Sequence, residues 1–385
     1  MGMNPSRKER EKAVLVGVAN RDTTLKEAKE HPAELGRLAD TAGALVVDQV
    51  LQRRPAFDPS TLVGEGKARE IAALVELHRA DLVIFDEDLS GAQAKNLETI
   101  IHAKILDRSG IILDIFARHA KTAEARIQVE VAQLQYLLPR LTRAWTHLSR
   151  QVGGIGTRGP GETQLEVDRR SIRKRISDLK KKLEKVETLR ASQRDRRGDI
   201  FNVAVVGYTN AGKSTLMNAL TQAGVLAVDR LFATLDPTTR KLWLGTRRKA
   251  VLSDTVGFIR KLPVGLIASF KSTLGVASQA SFILNVVDTS SDDFEEQMEI
   301  TARILNELEI TEAPRLTVFN KIDLLDPERL QSLREHHVDA VFVSAEKKTG
   351  LEQLRERLAL ACDYASFEAA QAYEHAATAA ISFPD

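Results

Sequence analysis

Over residues 1–120, short aliphatic runs alternate with amphipathic stretches. Lys12–Ala19 (KAVLVGVA), Ala44–Leu51 (ALVVDQVL), Asp81–Asp88 (DLVIFDED) and Ile111–Phe116 (IILDIF) are rich in Val, Ile and Leu and read as strands. Between them, PAELGRLADTAG, GKAREIAALVELHRA and GAQAKNLETIIHA space their apolar residues three and four apart, which predicts helices. Strands alternating with helices predict an α/β domain built on a parallel sheet.

The period then changes. Ile127, Val131, Leu134, Leu138, Leu141, Trp145 and Leu148 step by four and three, as a coiled-coil seam does. Pro139 interrupts it and is expected to kink or restart the helix. A glycine-rich stretch follows, GGIGTRGPGETQLE (Gly153–Glu166), and then Ile172, Ile176, Leu179, Leu183 and Val186 repeat the stepping. Two seams joined by a short loop predict an antiparallel helical hairpin with the glycines at its tip, and Thr163 with Glu166 fits a capping box for the second arm. The polar run Arg190–Asp199, broken at Gly198, marks a boundary, after which strand and helix patterns alternate again up to about Cys362. The expected organisation is an α/β domain (1–120), a helical hairpin (121–197), a second α/β domain (198–362) and a short tail (363–385). The pattern of the alanine-rich tail does not choose between helix and coil.

Composition narrows the class. The 385 residues are 43% hydrophobic and carry a net charge of +2, with a single cysteine, Cys362. No apolar run approaches the ~18–20 residues of a membrane span, and the polar N-terminus does not resemble a secretory signal. A cytoplasmic protein without membrane insertion, disulfides or cysteine metal clusters is expected. The charge is uneven: Glu166–Arg197 holds thirteen Lys/Arg against six Asp/Glu, a local excess of +7. Such a segment fits a polyanion such as RNA, or a solvated helix face laced with ion pairs.

The chemistry is concentrated after residue 200. Gly207-Tyr208-Thr209-Asn210-Ala211-Gly212-Lys213-Ser214 matches G-x-x-x-x-G-K-[ST] between a strand-like and a helix-like segment. Backbone N–H groups of such a loop cradle phosphates, Lys213 places charge on the β/γ-phosphates, and Ser214 can ligate Mg²⁺. Asp254-Thr255-Val256-Gly257 ends a second strand; Asp254 would hold Mg²⁺ through water and the Gly257 N–H would sense a γ-phosphate. Asn320-Lys321-Ile322-Asp323 ends a third, where the Asp323 carboxylate can accept from the two donors of guanine that adenine lacks. Val343-Ser344-Ala345 would support the base through backbone contacts. Between the first two motifs, Leu231–Thr239 offers Thr234, Thr238 and Thr239 for the mobile threonine a GTPase needs, and spacing selects none of them. Each string is weak alone; their order and strand context predict a GTPase. By contrast, the G-x-G-x-x-G at Gly154–Gly159 follows a helix, not a strand, so a dinucleotide reading fails.

These motifs, together with GPGETQLE (Gly159–Glu166) followed by Asp168-Arg169-Arg170, FATLDPT and DTVGFI, resemble the HflX family of GTPases over roughly residues 12–360. The resemblance implies an N-terminal HflX domain, a helical linker and a Ras-like GTPase domain with a doubly wound, mostly parallel sheet. It assigns the switch Mg²⁺ role to Thr234, a nucleotide-facing role to Phe232, Ala233, Thr234, Leu235 and Asp236, and a partner in the large (50S) ribosomal subunit and its rRNA. Family members split or recycle ribosomes or act in their biogenesis; a monomer is expected. The hairpin tip, with Arg158, would probe ribosomal RNA. Lys213, Thr234 and Gly257 are the candidate catalytic residues. Many GTPases place a glutamine after the DxxG glycine to orient water. Phe258 stands there instead, so slow intrinsic hydrolysis stimulated by a partner is expected. Asn210 is a candidate K⁺ ligand that would supply missing charge, or simply a loop-shaping residue. The competing reading is a GTP-regulated signalling or scaffold protein whose hairpin binds another coiled coil.

Overall fold

The computed structural model describes residues 10–20, 25–141, 160–195, 200–221, 231–232, 235, 238–245, 248–262, 277–278, 280–310 and 313–381. The chain divides into two compact units, with the break between Lys185 and Val186.

The first unit carries four parallel strands, β1 (Lys12–Ala19), β2 (Leu45–Arg53), β3 (Leu82–Phe85) and β4 (Lys104–Asp107), in the order β2-β1-β3-β4. β1 is buried along nearly its whole length, as expected of an apolar strand covered on both faces. Helices α1 (Leu25–Thr41) and α4 (Arg108–His119) pack together on one face, and α2 (Glu65–His78) and α3 (Gly91–Ile101) on the other. Val14, Val16 and Val18 of β1 meet Ala68, Ile71, Leu97 and Ile101 in one core.

One predicted strand is a helix. IILDIF lies inside α4, and the strand is the shorter KILD before it. A short, fully buried apolar run does not distinguish the two states by period. The cap decides: Asp107 ends β4 and accepts from the Gly110 N–H at 2.8 Å, so the chain turns into a helix at Arg108. Likewise, β3 stops at Phe85, and Asp86–Asp88 leave the sheet.

Asp107 is a hub. Its buried carboxylate also accepts from the Leu89 N–H (3.0 Å), from the Tyr136 hydroxyl (2.7 Å) and from Arg140. Burial beside this carboxylate pushes the Tyr136 phenol well above its usual range. The network ties the end of α5 (Ala123–Leu137) to the carboxyl edge of the sheet. It also shifts the buried face of α5. Ala125, Gln128, Val129, Val131 and Ala132 are buried, whereas Ile127 and Leu134 of the predicted seam are only half-buried. The helix docks on α4, so its apolar stripe follows α4 and not a coiled-coil partner. α5 ends before Pro139, as the missing N–H requires. The rest of that seam and the tip glycines at 151–159, Arg158 among them, lie outside the described residues.

α6 (Pro160–Asp195) begins earlier than the capping box predicts. Thr163 and Glu166 lie within the helix and cannot be its N-cap pair; Pro160 opens it, the position where a missing N–H costs nothing. Leu179 is buried, and Ile172, Ile176, Leu183 and Val186 are half-buried among exposed charges, so these apolar positions are among the less exposed ones of this helix. Arg175 pairs with Glu130 of α5 at 2.8 Å.

The second unit has six strands: β5 (Phe201–Gly207), β6 (Thr239–Trp243), β7 (Lys249–Asp254), β8 (Phe282–Asp288), β9 (Arg315–Asn320) and β10 (Val341–Phe342). Their order is β10-β9-β8-β5-β7-β6, parallel except for the edge strand β6. α7 (Lys213–Thr221) and the last helix share one core with the sheet; α8 (Phe294–Glu307) and α9 (Pro327–His336) contribute to another through Phe294 and Leu333, against Phe319 and Phe342. This is a doubly wound α/β fold. The last helix, α10 (Leu351–Ile381), runs on without a break through the alanine-rich region. Alanine's high helix propensity is enough to explain the continuation.

Candidate nucleotide site

In a doubly wound sheet, ligands bind outside the carboxyl ends of the strands where the strand order reverses. Here that place lies around β5, between β7 and β8, and all four motifs converge on it. Gly207–Ser214 joins β5 to α7, Asp254–Gly257 follows β7, Asn320–Asp323 follows β9, and Val343–Ala345 follows β10.

The glycine-rich loop needs its glycines for two different reasons. Gly207 (φ +144°) runs against the β8 backbone, where a Cβ would collide with Val286 O. Gly212 (φ +88°) lies against the Asn320 side-chain amide, which a Cβ would also strike. Asn210 adopts φ +63°, a left-handed conformation that asparagine tolerates better than most residues. This gives it a loop-shaping role in the fold.

Asn320 fastens three motifs together. Its Nδ2 donates to Ala211 O (2.9 Å), its Oδ1 accepts from the Ala345 N–H (3.0 Å), and both side-chain groups are buried. Its own carbonyl accepts from the Thr289 N–H (3.1 Å) and hydroxyl (2.6 Å). Lys321, at φ +64°, pairs with Asp288 at 2.6 Å. Thr289 and Asp288 escaped the sequence reading because a Thr or Asp after a strand has no distinctive spacing. Ile322 is buried, whereas Asp323 presents an exposed carboxylate next to this clamp. Val343 accepts the Ile322 N–H (3.3 Å), and Ser344 accepts the Lys347 N–H (3.0 Å).

At the other end of the loop, Ser214 Oγ donates to Asp254 Oδ2 at 2.5 Å. A hydroxyl and a carboxylate converging this way offer the hard oxygen donors that Mg²⁺ prefers. Among the described residues no cluster of three or more His, Cys, Asp or Glu forms a metal cage. Lys213 is buried and donates to Gly207 O (3.1 Å) and Tyr208 O (2.7 Å). Burial lowers its pKa to about 8, against the opposing pull of Asp254.

The segment after β7 runs alongside the loop. Phe258 donates to Gly207 O (3.1 Å) and accepts from the Thr209 N–H (2.7 Å), and the Arg260 N–H reaches the Tyr208 hydroxyl (2.9 Å). Thr255 ties back to Val205 O at 2.8 Å, and Val256 is buried. The Phe258 ring is 1% exposed, so its side chain belongs to the core. Of the switch segment, Phe232 and Leu235 are described and buried; Ala233, Thr234 and Asp236 lie outside the described residues. Thr238 and Thr239 pair with the start of the site through the Asp254 N–H and Ser253.

Comparison with known proteins places this geometry. Residues 202–321 match the family model described as 50S ribosome-binding GTPase, residues 29–117 the GTP-binding GTPase N-terminal model, and residues 119–197 the GTP-binding GTPase Middle Region model. GTPase HflX of Caldanaerobacter subterraneus subsp. tengcongensis is 47% identical over 353 residues, covering 91% of this chain and 80% of the relative. The chain belongs to the HflX family of GTPases. HflX of Escherichia coli K12 is 45% identical over 353 residues, covering 90% of this chain and 82% of the relative. A crystal structure of SsGBP with GDP shares the fold at TM-score 0.51 and 24% identity, covering 92% of this chain and 99% of that one. As an HflX GTPase the chain binds and hydrolyses GTP. Its architecture is the one the motifs predicted, with a Ras-like GTPase domain behind N-terminal domains.

Proposed function

We propose that this chain binds GTP at the carboxyl edge of the six-stranded sheet and uses its hydrolysis to control association with the large ribosomal subunit. The observation that carries the site is the Asn320 clamp, which holds the loops after β5, β9 and β10 in one place. On this reading N–H groups of the Gly207–Ser214 loop other than that of Thr209, together with the Lys213 ammonium, hold the phosphates. Asp323 reads the guanine edge, and Val343–Ala345 back the base. Ser214, Asp254 (through water) and Thr234 would hold Mg²⁺, which neutralises phosphate charge when bound. Gly257 contacts the γ-phosphate. Asn210, already committed to the loop's shape, is the K⁺ candidate. Catalysis rests on Lys213, Thr234 and Gly257.

Partner and location follow the same logic. α6 exposes Arg170, Arg173, Lys174, Arg175, Lys180, Lys181, Lys182 and Lys185 along 36 residues, a positive rod suited to rRNA phosphates. No helix among the described residues is long and apolar enough to cross a membrane. We place the protein in the cytoplasm, as a monomer acting in ribosome splitting, recycling or biogenesis. Its organisation is an N-terminal domain (1–120), hairpin (121–197), GTPase domain (198–362) and short C-terminal tail (363–385).

The test is sedimentation with 50S subunits in a GTP analogue, across a salt series. Cosedimentation should fall steeply with salt. Replacing Arg173, Lys174, Lys181 and Lys182 by Gln should flatten the log–log slope by about 0.7–0.9 for each phosphate that is no longer neutralised. Absence of cosedimentation at low salt refutes the ribosomal reading.

A further inference from the structure

The glycine-rich loop buries a hydroxyl that has no partner among the described residues. Thr209 is 6% exposed, and its Oγ1 makes no hydrogen bond there. An unpaired buried hydroxyl costs free energy, so it calls for an explanation. The backbone supplies none, because the Thr209 N–H is already given to Phe258 O.

Its surroundings supply one. A Cβ placed on Gly257 would lie 2.9 Å from Thr209 Cγ2 and 2.9 Å from Lys213 Nζ. Thr209 Cγ2, the methyl on the same Cβ as the unpaired hydroxyl, and the lysine ammonium therefore both lie against Gly257, the residue that the proposed function sets against the γ-phosphate. Water attacking phosphorus needs an acceptor to orient it, commonly a glutamine after this glycine. Phe258 occupies that position, with its ring in the core and its backbone bonded to Gly207 and Thr209. Lys213 can only donate, Gly257 has no side chain, and Ser214 is turned to Asp254. Within Gly207–Ser214 and Gly257–Phe258, Thr209 Oγ1 is the buried side-chain oxygen that makes no hydrogen bond among the described residues.

We propose that Thr209 is a positioning residue for GTP hydrolysis, its hydroxyl accepting a hydrogen bond from the attacking water. The proposal rests on Gly207–Ser214 being the triphosphate site. In the step, the water oxygen bonds to the γ-phosphorus and the bond to the β,γ-bridging oxygen breaks. GDP leaves with that electron pair, and the proton lost by water ends on the released phosphate. The threonine keeps its own proton throughout; it only aims the water.

The test compares Thr209→Val and Thr209→Ser in the full chain by single-turnover GTP hydrolysis, affinity for a non-hydrolysable GTP analogue, and Tm. Valine keeps the shape and removes the hydroxyl. We expect Thr209→Val to slow hydrolysis by about ten- to a hundredfold, with analogue affinity within about twofold. Tm should hold or rise, because the resting protein gives up no hydrogen bond. Thr209→Ser should recover hydrolysis to within about threefold of the original rate. Undiminished hydrolysis in the valine variant overturns the proposal, as does equal loss in both variants. If instead Lys213→Met binds the analogue normally, the site reading itself is wrong, whatever Thr209 does.

Discussion

Asn320 Nδ2 lies 2.9 Å from Ala211 O, so the residue that ends β9 holds the middle of the glycine-rich loop. The proposed base-reading motif is thus tied to the proposed phosphate-binding one in the protein without ligand. Removing Asn320 orphans two buried backbone groups, the Ala211 carbonyl and the Ala345 N–H. Asn320→Ala should cost about 1–3 kcal/mol in urea unfolding of the nucleotide-free protein. It should also weaken GDP binding, since the loops lose their fixed spacing. Unchanged stability with unchanged affinity would show that the clamp is decorative.

Gly212 is the other half of this contact, because its Cβ position is filled by the Asn320 amide. Gly212→Ala therefore meets both a positive φ and a collision. The two losses should not add. In a Gly212→Ala background, Asn320→Ala should cost clearly less than it does alone, by about 0.5–3 kcal/mol. A double-mutant cycle in urea measures this, and strict additivity would contradict the contact.

Lys213 carries a pH signature. Burial lowers its pKa to about 8 in the nucleotide-free protein, below that of a lysine in an unfolded chain. Between about pH 8 and about 10.4, the unfolded chain holds a proton the folded one has released, so this group's contribution to stability improves as pH rises there. Phosphate binding favours the charged form and runs the other way. Affinity for GTP should fall as pH rises above about 8, approaching tenfold per unit, with proton uptake on binding. Calorimetry in buffers of different ionisation enthalpy reads that uptake. Lys213→Arg should lose the dependence.

In the N-terminal unit, Arg108 sits with 2% of its side chain exposed between Asp86, at 2.6 Å, and Glu34. Arg108→Met would leave two carboxylates facing one another in the interior. It should lower the stability of this unit by about 3–5 kcal/mol, and GTP hydrolysis by the isolated chain should be little affected. Chemical denaturation followed alongside GTP turnover separates the two effects.

The candidate site was legible in the sequence because each motif is local. Gly207–Ser214, Asp254–Gly257 and Asn320–Asp323 each sit at the end of one strand, and strand ends are marked by where apolar runs stop. The α4 helix was not legible, because IILDIF is apolar on every side and only the Asp107 cap reveals its period. The buried face of α5 was displaced from the predicted seam for a related reason. Heptad spacing states that a helix has an apolar stripe, but the docking of α5 on α4 decided which residues fill it.

Sequence alone thus determined the glycine-rich loop at Gly207–Ser214, the order of the motifs, the family and the charge of α6, all properties of contiguous residues. Tertiary structure decided that Phe258 is core, that Asn320 joins three loops, and that Thr209 and Lys213 both lie against Gly257. Those relationships reach from 25 positions (Asn320 to Ala345) to 109 positions (Asn320 to Ala211) along a chain whose strands must first be ordered side by side. No periodicity along the sequence encodes that ordering; packing around β5 does.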